Sequence, residues 1–184
     1  MLPASRLAGS IRYALRDMQG AAFSDFEIIE ALNRAASLIW GRMGEKFVWA
    51  ALKRTVLIVD RGEARLPRDF HNVRKVTGEG RELSPAMRRP REGQYRIAGD
   101  AFLAPDGAYQ MEYWYIPAPV FDMKDSLDAP EAASPYVERA ALAFLRGDME
   151  AAELAAQQCC HALAAGEISR FSDIGPVEIW GGKA

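Results

Sequence analysis

The sequence predicts an α+β protein, in which a helical bundle built from both ends of the chain carries an inserted antiparallel β meander or sandwich. Two patterns lead to this prediction. Apolar residues recur every three or four positions in residues 1–50 and again in residues 135–166, as in helices with one buried face. In residues 51–116 the period becomes two, and glycine-containing turns separate short segments, as in β hairpins.

Residues 1–50 are predicted to form two helices. The start of the second is marked by Ser24, an N-cap, and by Glu27, whose carboxylate can reach back to the Ser24 amide to complete a capping box. Gly44 is its predicted end. The first helix has the apolar stripe Leu7, Ile11, Leu15 and Met18, and Gln19-Gly20 ends it.

Residues 51–116 are predicted to form a β lobe. Its turns are Asp60-Arg61-Gly62, Gly78-Glu79-Gly80 and the two-residue turn Gly99-Asp100. Polar and apolar residues alternate through Tyr109–Ile116, which indicates the last strand.

Residues 117–134 are predicted to be a long loop, and residues 135–166 a helical hairpin. Ser134-Pro135 supplies an N-cap followed by proline at the first helical position. Gly147-Asp148 separates the two helices of the hairpin, and Gly166 is the predicted end of the second. The helical segments are predicted to share one buried layer, formed by Phe26, Ile29, Leu32, Ile39, Leu142, Phe144 and Leu145.

Residues 167–184 are predicted to be an extended C-terminal arm. Pro176 disfavours a helix at the preceding residue and favours extended backbone. The arm has too many apolar side chains for a solvated terminus, so we expect it to bind a partner or a neighbouring subunit; the alternative is that it covers its own sheet. Its candidate contact residues are Phe171, Ile174, Val177, Ile179 and Trp180.

The loop of residues 117–134 carries a second set of candidate contact residues, Val120, Phe121, Met123 and Leu127. No periodicity in this segment would bury them, which is typical of an interface that forms on assembly. Packing back over the sheet is the alternative.

Charge is unevenly distributed along the chain. Residues 51–96 hold twelve Lys/Arg against six Asp/Glu, whereas residues 97–184 hold five against fourteen. This polarity suits contact with nucleic acid, or copies that meet basic side to acidic side; a solvated surface without a partner is the alternative. Arg88, Arg89, Arg91 and Arg96 are the candidate phosphate contacts, and the nearby Tyr95 could stack on a base.

The sequence contains no recognisable catalytic or metal-binding pattern, so we expect no enzyme, cofactor or metal. Cys159, Cys160 and His161 are consecutive, and consecutive helical residues fan around the axis, which prevents both a shared metal and a disulfide. No glycine-rich phosphate loop and no nucleophile elbow occurs. No apolar run reaches the roughly 18 residues of a membrane span, and no export signal is expected at the N-terminus.

Three stretches in order resemble the head–tail adaptor (connector) proteins of tailed bacteriophages. FSDFEIIEALNRAASLIW resembles the opening helix of that family, with its Asp, Glu and Leu-Asn-x-Ala pattern. ARLPRDFHNVRKV resembles its strand with a Leu-Pro-x-Asp start and spaced valines. MEYWYIPAP, followed by the loop and the helices of SPYVERAALAFLRGDMEAAELAAQQCCHAL, resembles its last strand and closing hairpin. The likeness extends over most of the chain.

The resemblance implies a structural protein of the virion neck. Such a protein would assemble in the host cytoplasm into a ring, usually twelvefold, beneath the portal protein at the capsid vertex, and would bind a tail or neck component. Helices would form the ring wall, and DNA would pass through the channel without being read by sequence. The alternatives are a nucleic-acid-binding accessory protein that uses the basic segment 51–96, and a small enzyme whose site cannot be assembled from the sequence.

Overall fold

The computed structural model describes residues 1–46 and 48–172, with side chains as far as Gly166. Helices and mainly antiparallel strands fill this part of the chain, so the α+β class is confirmed. The helices are α1 (Ala4–Leu15), α2 (Asp25–Glu45), α3 (Ser134–Leu145) and α4 (Met149–Ser172). The strands are β1 (Leu2–Pro3), β2 (Leu52–Val59), β3 (Glu63–Arg65), β4 (Phe70–Gly78), β5 (Arg81–Glu82), β6 (Ser84–Pro85), β7 (Gln94–Ala98), β8 (Ala101–Leu103), β9 (Gly107–Tyr115) and β10 (Ser126–Leu127).

The predicted capping box is present at the start of α2. The Glu27 amide donates to the Ser24 hydroxyl, and the Ser24 amide donates to the Glu27 carboxylate, at 3.3 and 2.8 Å. These bonds satisfy two groups that a helix end would otherwise leave unpaired. The Ser24 amide lowers the pKa of the Glu27 carboxyl most, and the Ser24 hydroxyl, which donates to the same carboxylate at 2.7 Å, lowers it further.

The four helices pack on one another, with α2 in contact with α1, α3 and α4. Leu32 and Ile39 are fully buried, as predicted, and Ile29 is nearly so. The prediction is wrong for Phe26, whose side chain is 73% exposed because the first turn of α2 points Ile28, two positions further on, into the core instead. The predicted hairpin residues Leu142, Phe144 and Leu145 are half-buried against this core.

Two helix ends differ from the predictions. The first helix ends at Leu15, and Met18 is 66% exposed, because Arg16 turns the chain in a left-handed conformation with φ of 56°. The last helix continues through Gly166 to Ser172, so residues 167–172 are helical and the extended arm predicted from residue 167 is wrong there. A single glycine lowers helix propensity by only about 1 kcal/mol, too little to end a helix.

The strands form two four-stranded sheets, in the orders β2-β9-β4-β5 and β3-β8-β7-β6. The predicted meander is therefore wrong in strand order, because β9 lies between β2 and β4. Long strands pair best with long strands: β9 pairs with all of β2, from Leu52 opposite Trp114 to Val59 opposite Gly107. One short pair, β6 with β7, is parallel.

The predicted turns are present, although they connect differently placed strands. Gly99-Asp100 joins β7 to β8, with Ala98 opposite Ala101. Arg61-Gly62 forms a two-residue turn closed by the Asp60–Glu63 bridge, and both turn residues have positive φ. Past this turn the chain leaves the first sheet and enters the second.

An aromatic cluster connects the two sheets. Phe102, on β8, is fully buried and lies 5.7 Å from the rings of both Tyr95 on β7, on which it is stacked, and Tyr109 on β9, to which it is tilted. Since Tyr109 belongs to the first sheet and the other two rings to the second, the Phe102–Tyr109 pair is a contact between the sheets.

None of the helices in the described part of the chain combines the length and the apolar character that crossing a bilayer would require.

Candidate functional site

The 117–134 loop is anchored on α2 by one asparagine. The Asn33 amide donates to the Val120 carbonyl at 2.8 Å, and its carbonyl accepts from the Val120 amide at 2.9 Å. A single side chain thus satisfies both backbone groups of Val120, as a neighbouring strand would. Val120 is buried by this contact.

A lysine ties the same loop to the first sheet. Lys53, on β2, donates to Asp69 at 2.6 Å and to Asp128 of the loop, and its ammonium lies 4.0 Å from the centre of the Tyr115 ring. Tyr113 donates its hydroxyl to the other oxygen of Asp69 at 3.1 Å. Two strands and the loop therefore meet at Asp69 and Lys53.

The electrostatics of this junction favour a structural role. Partial burial lowers the pKa of Lys53, but the bonds with Asp128 and Asp69 outweigh it and hold the pKa above the ordinary value. Burial and the Asp69 carboxylate raise the pKa of Tyr113 to about 12. A lysine held charged is a poor nucleophile and a tyrosine held neutral is a poor base, so neither group is activated as a nucleophile or general base at neutral pH.

The structure separates the contact residues predicted in the loop. Val120 and Leu127 are buried within the subunit, the latter paired with Leu2 in the short β1–β10 ladder, and neither is accessible to a partner. Met123 is half-buried against the core. Phe121 is 82% exposed, which leaves it as the accessible apolar side chain of the predicted set.

The contact residues predicted in the arm lie at the edge of the described structure or outside it. Phe171 belongs to α4 by its backbone, and its side chain is not described. Ile174, Val177, Ile179 and Trp180 lie outside the described residues.

Two of the predicted phosphate contacts meet in an open concavity of about 720 Å³ on the second sheet, which we call the arginine groove. Arg89 and Arg96 line it together with Arg61 from the β2–β3 turn, and Leu103 and Asp106 complete its lining with the intervening backbone. The sequence interpretation did not count Arg61 among the phosphate contacts; it placed this residue in the predicted turn Asp60-Arg61-Gly62 and assigned that hairpin tip to contact with the next ring or tail component.

The remaining predicted nucleic-acid residues do not line the groove. Arg88 and Arg91 are exposed on the connection between β6 and β7. Tyr95 was expected to offer a ring for base stacking, and this is wrong: it is 8% exposed and stacked on Phe102. The ring faces the core because residues along β7 alternate between its two faces, which places Arg96 outside and Tyr95 inside.

The acidic segment, residues 97–184, and the basic segment, residues 51–96, differ in how many of their charged side chains have a partner within the subunit. Within the described part of residues 97–184, every carboxylate up to residue 166 except that of Glu150 accepts a hydrogen bond or lies in an ion pair; examples are Asp106, Asp128 and Glu153. By contrast, several arginine side chains of residues 51–96 have no ion-pair or hydrogen-bond partner among the described residues. These are Arg61, Arg68, Arg81, Arg88, Arg89, Arg91 and Arg96.

Burial holds both cysteines in the neutral thiol form. Cys159 and Cys160 are both buried, and burial raises the pKa of Cys159 to about 12 and also that of Cys160. A neutral thiol is a much weaker nucleophile than a thiolate, so neither cysteine is activated for nucleophilic attack. Within the described residues no three His, Cys, Asp or Glu side chains are grouped so as to hold a metal.

Comparison with known proteins adds no family. The chain matches no protein-family model and none of the curated proteins.

Proposed function

We propose that this protein is a structural subunit of the head–tail adaptor of a tailed phage. In this proposal copies of the chain form a ring, twelvefold by the resemblance, between the portal protein and a tail or neck component of the virion. The observation that supports it is that the first and second family-like stretches each bind the third, or the residue just after it, through hydrogen bonds.

The family-like residues hold one another in place. Asn33, from the first stretch, binds the backbone of Val120 just after the third. Asp69, from the second stretch, accepts from Tyr113 of the third, and its backbone carbonyl accepts from the Ile116 amide at 3.0 Å. Residues that match the family pattern therefore share a structural role. A fold common to the family would require such contacts, whereas a chance likeness in sequence would not.

The parts of the molecule are assigned to this role as follows. The helices of residues 1–50 and 135–166 form a bundle that builds the ring wall, and the β lobe faces the tail as a sandwich. Phe121 supplies a contact to the next component, because an apolar side chain that is 82% exposed gains most from being covered. The last residues, 173–184, reach the portal protein or a neighbouring copy.

A second candidate function is that of a nucleic-acid-binding accessory protein. It is favoured by the partnerless arginines of residues 51–96, and in particular by the arginine groove. A monomeric chain that binds DNA with a steep salt dependence, and does not assemble on a portal protein, would support this function over the adaptor.

The adaptor proposal is tested by mass measurement and negative-stain imaging of the purified chain, alone and with the portal protein of the same virus. We expect rings of similar copies, at least on the portal. The Phe121→Ser variant should fold normally and assemble on the portal, but lose affinity for the next component. A chain that stays monomeric with the portal at concentrations well above micromolar contradicts the proposal.

A matched truncation tests the assigned contact of the C-terminal residues. Removing residues 173–184 leaves all of α4 in place. We expect an unchanged unfolding midpoint and weaker binding to the portal or to neighbouring copies. Undiminished assembly, or loss of the fold, would exclude the contact.

A further inference from the structure

We infer that the arginine groove is a binding site for the phosphodiester backbone of nucleic acid, and that it reads charge and shape without reading sequence. The inference does not depend on the adaptor proposal, because the groove lies within one subunit. Its central observation is that two regions far apart in the chain bring guanidinium groups to one concavity: the β2–β3 turn, and β7 with the connection that precedes it.

The first argument concerns partners within the molecule. Arg61, Arg89 and Arg96 are exposed and make no ion pair or hydrogen bond with the part of the chain that is described. Other arginines of the same lobe do have partners; Arg54 and Arg74, for example, both bind Glu112. Unpaired arginines that converge keep all of their N–H donors for an external anion, and their planar forks match phosphate oxygens.

The second argument decides between two kinds of anion. Within the described side chains a second copy offers few free carboxylates from its acidic segment, since between residues 97 and 166 only Glu150 lacks an internal hydrogen bond or ion pair. Breaking those contacts would offset much of the gain from new ion pairs. Phosphodiester groups carry a permanent charge, and binding them does not require internal ion pairs of a partner to be broken. Nucleic acid therefore fits the groove better than a neighbouring copy does.

The third argument concerns what the groove can recognise. The residues lining it include no aromatic side chain, and Tyr95 is turned into the core. Single-stranded nucleic acid is held mainly by stacking of bases on aromatic rings, which the groove cannot supply. We therefore expect contact with the sugar–phosphate backbone, equal for different sequences and at least as strong for a duplex as for a single strand.

Two carboxylates limit the positive charge of the site. Asp106 accepts a hydrogen bond from the Gly62 amide at 2.7 Å, which fixes the turn that carries Arg61. Glu63 lies opposite Leu103 in the β3–β8 pair, on the same sheet face as the groove, and its carboxylate has no bonding partner among the described residues. Its removal should therefore raise affinity for a polyanion.

The experiment measures binding of the full chain to a fluorescein-labelled 20-base-pair duplex of mixed sequence, over a range of salt concentrations. The Arg89→Gln/Arg96→Gln variant should lower affinity and reduce the slope of log K against log salt by about one per arginine. Arg96→Lys should keep the slope, since it keeps the charge, while Glu63→Gln should bind more tightly than the wild type. Arg146→Gln is the matched control, because Arg146 is an exposed arginine at the end of α3, outside the groove.

The controls separate the possible results. An equal loss of duplex affinity in Arg146→Gln and Arg96→Gln would show that net charge alone matters and would overturn the site.

Competition by poly-glutamate as effective as that by unlabelled duplex would assign the groove to an acidic protein instead. The side chains changed are exposed, so unfolding midpoints should stay unchanged; should the double variant fail to fold, the opposite shifts in Arg96→Gln and Glu63→Gln still decide. The duplex-binding results do not depend on ring formation. The adaptor proposal and the groove proposal can therefore be contradicted independently.

Discussion

Asp17 shows how much one side chain determines at the turn between α1 and α2. Its carboxylate accepts hydrogen bonds from the amides of Ala21, Ala22 and Phe23, at 2.7 to 3.1 Å, and lies in an ion pair with Arg12. Such a carboxylate compensates for a run of amides that no regular structure pairs. Sequence patterns did not identify it, because an aspartate just after a helix looks like any solvated turn residue.

The first prediction is that the stabilising effect of Asp17 disappears in acid. The amide of Ala22 lowers the pKa of Asp17 most, the other two amides and Arg12 lower it further, and burial opposes them. A lowered folded-state pKa means that the stabilisation is complete above the ordinary value of 3.8 and is lost as the pH falls through the folded-state pKa. Asp17→Asn should therefore be less stable than the wild type at neutral pH, and the two free energies of unfolding should converge in acid.

Urea unfolding at a series of pH values checks this, with Glu30→Gln as the control, because Glu30 is exposed on α2, the helix after the turn, and has no bonding partner among the described residues. A constant difference between Asp17→Asn and the wild type at all pH values would show that the ionised form is not what stabilises the turn.

At the scale of the element, α2 shows which buried residues the helical spacing of apolar side chains predicts correctly and which it does not. Its apolar residues recur at the expected spacing, yet the face that meets the other helices contains Ile28, Leu32 and Ile39, and excludes Phe26. The period indicates that one face is buried, whereas packing against α1, α3 and α4 decides which residues at its margin are covered.

The second prediction compares two residues of this helix. Leu32→Ala should lower the free energy of unfolding by about 2–5 kcal/mol, because a fully buried leucine leaves a cavity. Phe26→Ala is the matched control and should change it by no more than about 0.5 kcal/mol, as an exposed position does. Chemical denaturation of both variants measures this. Equal effects at the two positions would mean that the buried face of α2 is assigned wrongly.

At the scale of the whole molecule, the helices and the β lobe are joined through the 117–134 loop. Asn33 holds one point of it to α2, Lys53 holds Asp128 to the first sheet, and β10 pairs with β1 at the N-terminus. A loop attached at three places links the helices to the sheets. Its one strongly exposed apolar side chain, Phe121, therefore lies on a backbone that is held in place.

The third prediction is that Asn33 controls this connection. Asn33→Ala should cost about 1–3 kcal/mol, because it leaves both backbone groups of the buried Val120 without partners. Asn33→Asp keeps the acceptor for the Val120 amide but loses the donor to its carbonyl, so its effect should be intermediate at neutral pH. Hydrogen exchange should report faster exchange of the Val120 amide in Asn33→Ala and slow exchange in Asn33→Asp. Unchanged protection of that amide in Asn33→Ala would refute the role of the side chain.

Local patterns determined most of the elements of this protein. The capping box at Ser24 and the two-residue turn at Gly99-Asp100 depend on contacts within a few residues, and both are present as predicted. The helical start predicted at Ser134-Pro135 is displaced by one residue: Ser134 is the first residue of α3, and Ala133 is its N-cap without a side-chain hydrogen bond. Such features are encoded locally, because the donor, the acceptor and the backbone conformation are supplied by neighbours in the chain.

Only the tertiary structure decided the strand order, the burial of the loop and the arginine groove. β9 lies between β2 and β4 because its length and inner face match both, a comparison between segments far apart in the chain. Val120 is buried by an asparagine 87 positions away, and Arg61 joins Arg89 and Arg96 only because two hairpins share a sheet. Sequence patterns record the chemistry of each residue and its nearest neighbours, whereas these contacts result from the free energy of the whole packed chain.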